Sequence, residues 1–275
     1  MSGIQVSGAF MRKWYSLALG LSLVCLIGAD VGQASSFKVL PIRVFVNARD
    51  KSAVLEITNE DKRKLTLQMG VKGWSQDDEG IDQYPPTRDI VFFPRIVTLE
   101  PKESQIVRLG IRGKPDPEKE RTYRFYITEL PVEQPGGRTV LRFLFNVSLP
   151  IFISPVKPTT GWEVSKSTVA HRAIVATVTN HGNQHVMVTQ VLAKATDAAG
   201  KEVFSGKGQG WYVLAGRSHS FELPLPEEAC PAVRHLAVSV KAGRETIQNE
   251  FDVEPDAEQC EPPPDRTGGG QGGTR

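Results

Sequence analysis

From Phe37 onward the chain is written in short runs where apolar and polar residues alternate. AVLEITN (Ala53–Asn59), SQIVRLGIR (Ser104–Arg112) and YRFYITELP (Tyr123–Pro131) are three of them. A period of two sends successive side chains to opposite faces of a strand. Between the runs stand turn-formers: NARDKS (Asn47–Ser52), NEDKRK (Asn59–Lys64) and EPKE (Glu100–Glu103). Short strands parted by turns roughly every ten residues are the pattern of a β-sandwich. VLPIRVFV and IVFFPRIVTL each read as one strand, and QDDEGIDQYPPTRD (Gln76–Asp89) as a long polar loop.

The longest alternation is LRFLFNVSLPIFI, thirteen residues from Leu141 to Ile153. Leu141, Phe143, Phe145, Val147, Leu149, Ile151 and Ile153 share one face. Read as one strand it would span about 43 Å at ~3.3 Å per residue, where strands usually have ~5–6 residues. EQPGGR (Glu133–Arg138) is a suitable hairpin connection from the preceding run.

SPVKPTTG (Ser154–Gly161) reads as a short, stiff linker. Beyond it AIVATVTN, HVMVTQVLAKATD, KEVFSGKG, WYVLAG, SHSFELPLP, HLAVSVKAG and TIQNEFDVE suggest a second sandwich of about seven strands. The expected division is 1–34 signal peptide, 35–154 first domain, 155–256 second domain and 257–275 a disordered Pro/Gly-rich tail. Arg12 and Lys13, the apolar WYSLALGLSLVCLIG and the small-x-small GQA ending at Ala34 form a cleavable export signal. That apolar run is short of the ~20 residues of a membrane span, so no stable membrane anchor is expected. Export places the mature chain in the periplasm or outside. Cys25 leaves with the signal. Cys230 and Cys260 remain as a disulfide pair or as two free thiols.

Composition is that of an ordinary globular protein, with 40% hydrophobic and 23% charged residues and a net charge of +2. No basic stripe is interleaved with aromatics, which argues against nucleic acid as a partner. His181 and His185 in HGNQH have metal-ligand spacing only on a helix, and here they fall between strand patterns, so a solvated turn is expected. Asp77, Asp78 and Glu79 lack a calcium-loop frame and read as a solvated loop. No catalytic constellation, metal site or cofactor fingerprint is found, and the chain is not expected to be an enzyme. Arg43 stands inside an apolar strand. It is either an outward charge on an edge strand or a guanidinium placed to grip a carboxylate.

Taken in order, these segments resemble the PapD-like periplasmic chaperones of pilus assembly. RVFVNARDKSAVLEITN (Arg43–Asn59) looks like the family's first hairpin. FPRIVTLEPKESQIVRLGIR (Phe93–Arg112) looks like its D and E strands, YRFYITELP like strand F and LRFLFNVSLPIFISP like strand G. TNHGNQHVMVT and VLAGRSHSF sit where second-domain motifs fall, and the loop from Gly73 to Pro94 looks closer to the archaic branch. The resemblance implies an all-β fold of two immunoglobulin-like β-sandwich domains in an L-shaped arrangement. It also implies a function: a chaperone that binds, folds and caps pilin subunits by donor-strand complementation and delivers them to an outer-membrane usher. Leu141, Phe143, Phe145, Val147 and Leu149 would be donor side chains, Arg43 the anchor of the subunit's terminal carboxylate, and Glu129 an interdomain contact. The lysine that relatives place in strand G is replaced by Pro150. An exposed alternating strand also predicts self-association through strand G. The alternative is a secreted two-domain binding or adhesion protein that recognises its ligand through loops.

Overall fold

The computed structural model describes residues 37–113, 116–131, 143–254 and 257–262. The signal peptide, Leu141, the EQPGGR connection and the end of the tail lie outside them.

Two β-sandwiches follow one another along the chain. The first is made of β1 (Phe37–Leu40), β2 (Val44–Val46), β3 (Ser52–Asn59), β4 (Leu65–Gly73), the small hairpin β5 (Ser75–Gln76) and β6 (Asp82–Gln83), β7 (Ile90–Phe93), β8 (Ile96–Leu99), β9 (Ser104–Ile111), β10 (Arg121–Glu129) and β11 (Asn146–Ile153). One sheet has the order β1-β3-β9-β7 and the other β2-β11-β10-β4-β8. Leu55, Ile57, Val107 and Leu109 of the first sheet pack against Leu67, Phe125, Ile127, Leu149, Ile151 and Ile153 of the second.

VLPIRVFV and IVFFPRIVTL are not single strands. Each divides at its proline, and its two halves join opposite sheets. Proline has no N–H for the ladder, so Pro41 and Pro94 are where the chain can leave one sheet for the other. Strand β11 is also shorter than the alternation suggests: its ladder begins at Asn146, and Phe143–Phe145 precede it outside any strand.

The second sandwich has β12 (Trp162–Ala170), β13 (Ala173–Asn180), β14 (Val186–Thr196), β15 (Glu202–Gln209), β16 (Tyr212–Val213), β17 (Ser218–Pro224), β18 (His235–Ala242) and β19 (Glu245–Asp252). Strand β12 went unread in the sequence because a register shift between Val164 and Lys166 interrupts its alternation. Cys230 and Cys260 form a disulfide. Ala257–Cys260, assigned above to a disordered tail, make a 3-10 turn held at that bond.

Both domains turn the same corner with the same residue. The Asn59 side-chain amide donates to the carbonyls of Arg63 (2.7 Å), Leu99 (3.0 Å) and Glu100 (3.1 Å), while its oxygen accepts from Asp61 N–H (2.8 Å). Asn180 repeats this with Gln184 (2.7 Å), Val213 (2.9 Å), Leu214 (3.1 Å) and Gly182 N–H (2.9 Å). Both asparagines are buried, and each satisfies backbone carbonyls that would otherwise be stranded at the end of a strand.

Candidate functional site: an open strand edge and the cleft beside it

Strand β11 lies between β10 on one side and β2 on the other, but β2 covers only Ile151–Ile153. The chain reaches β2 from the other sheet through Pro41, Ile42 and Arg43, so among the described residues no strand flanks the earlier part of β11 on that side. The direction of its backbone groups follows from two bonds. Phe145 C=O accepts from Glu129 N–H of β10, and Ser154 N–H donates to Val46 C=O of β2. Backbone groups alternate along a strand. Asn146 and Ser148 therefore turn their N–H and C=O to the open side, while Pro150 C=O faces Val44 at the start of β2. Proline is tolerated at an edge position of this kind, where a ladder N–H is not required.

The side chains of the alternating face show a gradient. Phe143 is 67% exposed and Phe145 38%, Val147 is half-buried, and Leu149 is 5% exposed within the domain's own core. Of the expected donor residues, Phe143, Phe145 and in part Val147 are presented to the outside. Leu149 is a core residue of this domain, because by that point the opposite sheet covers the strand.

The other face of the same sheet borders the second domain. Phe45 and Phe152 stack with ring centroids 5.4 Å apart, and Phe152 lies on the His185 ring at 3.6 Å. Trp74, Phe152, Tyr212 and Leu214 form a separate apolar cluster between the domains. Arg43 is exposed, one residue before β2, and so on the same face as Phe45. The ladders pair Val44 with Ile151, Pro150 with Arg124, and Arg124 with Lys72. One row across the sheet thus reads Arg43, Pro150, Arg124, Lys72.

Arg124 is 5% exposed. Its guanidinium lies 3.7 Å from the Trp74 ring centroid, 5.0 Å from that of Trp211 and 5.6 Å from that of Tyr212. Burial pushes its pKa down, while nearby Tyr84 and Asp82 act the other way; an arginine remains charged in this setting. The sequence reading passed over it because its neighbours Tyr123, Phe125 and Ile127 carry the core face. The signal was there in an arginine of the opposite parity in a strand interior.

The acid at the joint is Glu120, not Glu129. Glu120 Oε2 accepts from His185 N–H and lies 2.8 Å from His185 Nδ1. Glu129 sits at the far end of β10, paired with Leu67, away from the linker. HGNQH is not a solvated turn, for Asn183 Nδ2 donates to the carbonyls of Glu118 (2.7 Å) and Lys157 (2.9 Å). QDDEG likewise docks onto the second domain. Gln76 Nε2 donates to Tyr212 C=O, Gln76 Oε1 accepts from Leu214 N–H, and Arg217 Nη1 donates to Asp78 at 2.7 Å. Gly80, at φ +79°, comes so close that a Cβ there would stand 2.6 Å from Ser218 C=O.

Among the described residues no cluster of His, Cys, Asp or Glu is suited to hold a metal, and no helix is long and apolar enough to cross a membrane.

An N-terminal sandwich with an unflanked strand edge, bolted to a second sandwich, defines a class of strand-presenting two-domain protein. Residues 36–158 match the family model described as "Pili and flagellar-assembly chaperone, PapD N-terminal domain". The first domain of this chain is therefore similar to the N-terminal domain of the PapD-like chaperones. No curated protein matches it. Among solved structures, it is similar to a chain of the CsuC–CsuE chaperone–tip adhesion subunit pre-assembly complex from the archaic Csu pili of Acinetobacter baumannii. That match has 18% identity over 80% of this chain and 100% of the other, with a TM-score of 0.54. A chain of the Salmonella enterica SafA pilin–SafB chaperone complex aligns with 17% identity over 81% and 98%, TM-score 0.52. The CupB2 chaperone of Pseudomonas aeruginosa aligns with 15% identity over 79% and 100%, TM-score 0.50. At these identities the likeness is one of fold.

Proposed function

We propose that this protein is a periplasmic chaperone for pilin subunits, of the archaic kind, working by donor-strand complementation. It pairs its open edge with a subunit that lacks a strand, keeps that subunit folded, and passes it to an outer-membrane usher. The observation that carries the reading is the edge of β11, unflanked among the described residues from Asn146 to Leu149 and continued by the exposed rings of Phe143 and Phe145. An edge of this form offers backbone hydrogen bonds for affinity and alternate side chains for pockets. The donor set is then Phe143, Phe145 and Val147, with Leu141 next in the same series. Arg43 anchors the carboxylate at the end of the captured strand, on the face where Phe45 and Phe152 stack.

The mechanism is an assembly step without chemistry. A strand added beside Asn146 and Ser148 uses their outward backbone groups, while the rings fill the groove that the subunit's missing strand leaves. Loop recognition, the alternative reading, loses its best loop, because Gln76 to Asp82 is occupied in holding the second domain. The test is co-secretion with an affinity-tagged pilin subunit encoded beside the chaperone's gene. A one-to-one complex in the periplasmic extract is expected; free, degraded subunit with no complex refutes the proposal.

A further inference from the structure

The two faces of the open length of β11 are unlike. Phe145 and Val147 carry the apolar face, while Asn146 and Ser148 stand exposed on the face toward the cleft. The polar face is ordered from behind. Thr128 Oγ1 of β10 donates to Asn146 Oδ1 at 3.0 Å, and the Ser148 side chain hydrogen-bonds the hydroxyl of Tyr126. Each bond joins a directly opposed pair of the ladder, Thr128 with Asn146 and Tyr126 with Ser148. Tyr126 is itself held in place. Its ring meets that of Tyr84 edge to face with centroids 6.5 Å apart, and Lys72 Nζ lies 5.7 Å from its centroid. Tyr84 OH donates to Asp82 Oδ2 (3.1 Å), the oxygen that also accepts from Trp211 Nε1 of the second domain (2.9 Å).

These bonds decide which polar atoms are left over. With Oδ1 turned to β10, the Asn146 amide carries Nδ2 on its other branch, toward the open edge. That nitrogen has two N–H donors. A serine hydroxyl has one donor and two lone pairs, so Ser148 keeps bonding capacity beyond Tyr126. Between its outward backbone groups the edge therefore offers a side-chain donor at Asn146 and a hydroxyl at Ser148. Residues directly opposed on adjacent strands share a face, with Cβ atoms ~4.5–5.5 Å apart. A strand added here, in either direction, sets alternate side chains of its own against these two.

We infer that this edge reads both faces of a captured strand: apolar side chains on the face of Phe145 and Val147, and hydroxyl or amide side chains on the cleft face, recognised by Asn146 and Ser148. Thr128 and Tyr126 are positioning residues that aim those two. An apolar side chain opposite either one covers a polar group and gives it no partner, which counts against the wrong strand. The inference rests on the chaperone reading above and extends it, since a strand with the right apolar rhythm is still sorted by its other face.

The test is a double-mutant cycle between the chaperone and a co-secreted, tagged pilin subunit, read as the affinity of the purified pair. In the subunit's terminal strand, hydroxyl and amide residues are replaced one at a time, threonine by valine and asparagine by leucine. Against the wild-type chaperone two positions should each lose about two- to fivefold. Asn146→Ala should erase one of those losses and Ser148→Ala the other. Tyr126→Phe should lessen the loss paired with Ser148 and leave the one paired with Asn146. Both alanine variants should melt with the wild type, because both side chains are exposed. Losses that are the same in every background overturn the inference and leave the chaperone reading standing. A terminal strand with no hydroxyl or amide side chain on that face overturns it as well. Failure of the wild type to capture the subunit removes the chaperone reading itself.

Discussion

Replacing Phe143 by aspartate separates binding from folding. A phenylalanine buries ~150–250 Å² when fully covered. Phe143 is 67% exposed in the free protein, so roughly 130 Å² is left for a partner to cover. At ~25 cal/mol per Å² that area contributes about 3 kcal/mol, or roughly a hundredfold in affinity. Aspartate also brings an unpaired carboxylate into an apolar groove, which deepens the loss. Phe145, at 38% exposure, has about 75 Å² to give and about 2 kcal/mol by the same rule. Neither ring belongs to the first domain's core, so the free protein should keep its stability to within about 0.5 kcal/mol. The assay pairs pull-down of a co-secreted tagged subunit with thermal melting of the purified variant. Undiminished recovery of the complex by Phe143→Asp, with an unchanged melting curve, would sink the assignment of this end as the donor.

Leu149→Ala should behave in the opposite way, lowering the free protein's stability by about 2–5 kcal/mol in a urea titration because it opens a cavity in the core. Glu120→Ala strands the His185 N–H in the domain joint and should cost about 1–3 kcal/mol, read by calorimetry as a lowered melting temperature. Reducing Cys230–Cys260, which closes a loop across 30 positions, should destabilise the second domain by about 3–4 kcal/mol and leave the first domain's transition in place. The free edge should also pair with a second copy, so light scattering should show the mass rise with concentration; Phe143→Asp should suppress that rise, and a mass independent of concentration argues against self-pairing.

Alternation made the sandwiches legible, because a half-buried strand records its environment every second residue. It could not show Pro41 and Pro94 breaking their strands, since the apolar rhythm runs through both prolines while the partner sheet changes. The bulge after Val164 hid β12 for the converse reason, an environment kept while the rhythm slipped. Phe143 and Leu149 have the same parity and opposite fates, and only the extent of the facing sheet distinguishes them. HGNQH and QDDEG look solvated because their polarity serves contacts between domains, and such contacts leave no period. Glu120 and Glu129 are both acids at the borders of β10; which one meets the second domain depends on the direction in which the strand runs, and nothing local encodes that.

The row through Arg43 and Pro150 and the exposed ring of Phe143 lie seven residues apart along the chain, about 23 Å when that segment is drawn out as a strand at ~3.3 Å per residue. On the proposed reading, a stop at one end and a hydrophobic mark at the other turn this edge into a ruler. An incoming chain is measured from its last residue, and its alternate side chains fall into register only when its terminal strand has that length. Selection among secreted proteins would then rest on a distance as much as on composition, and the joint that fixes the second domain keeps the zero of the scale in place.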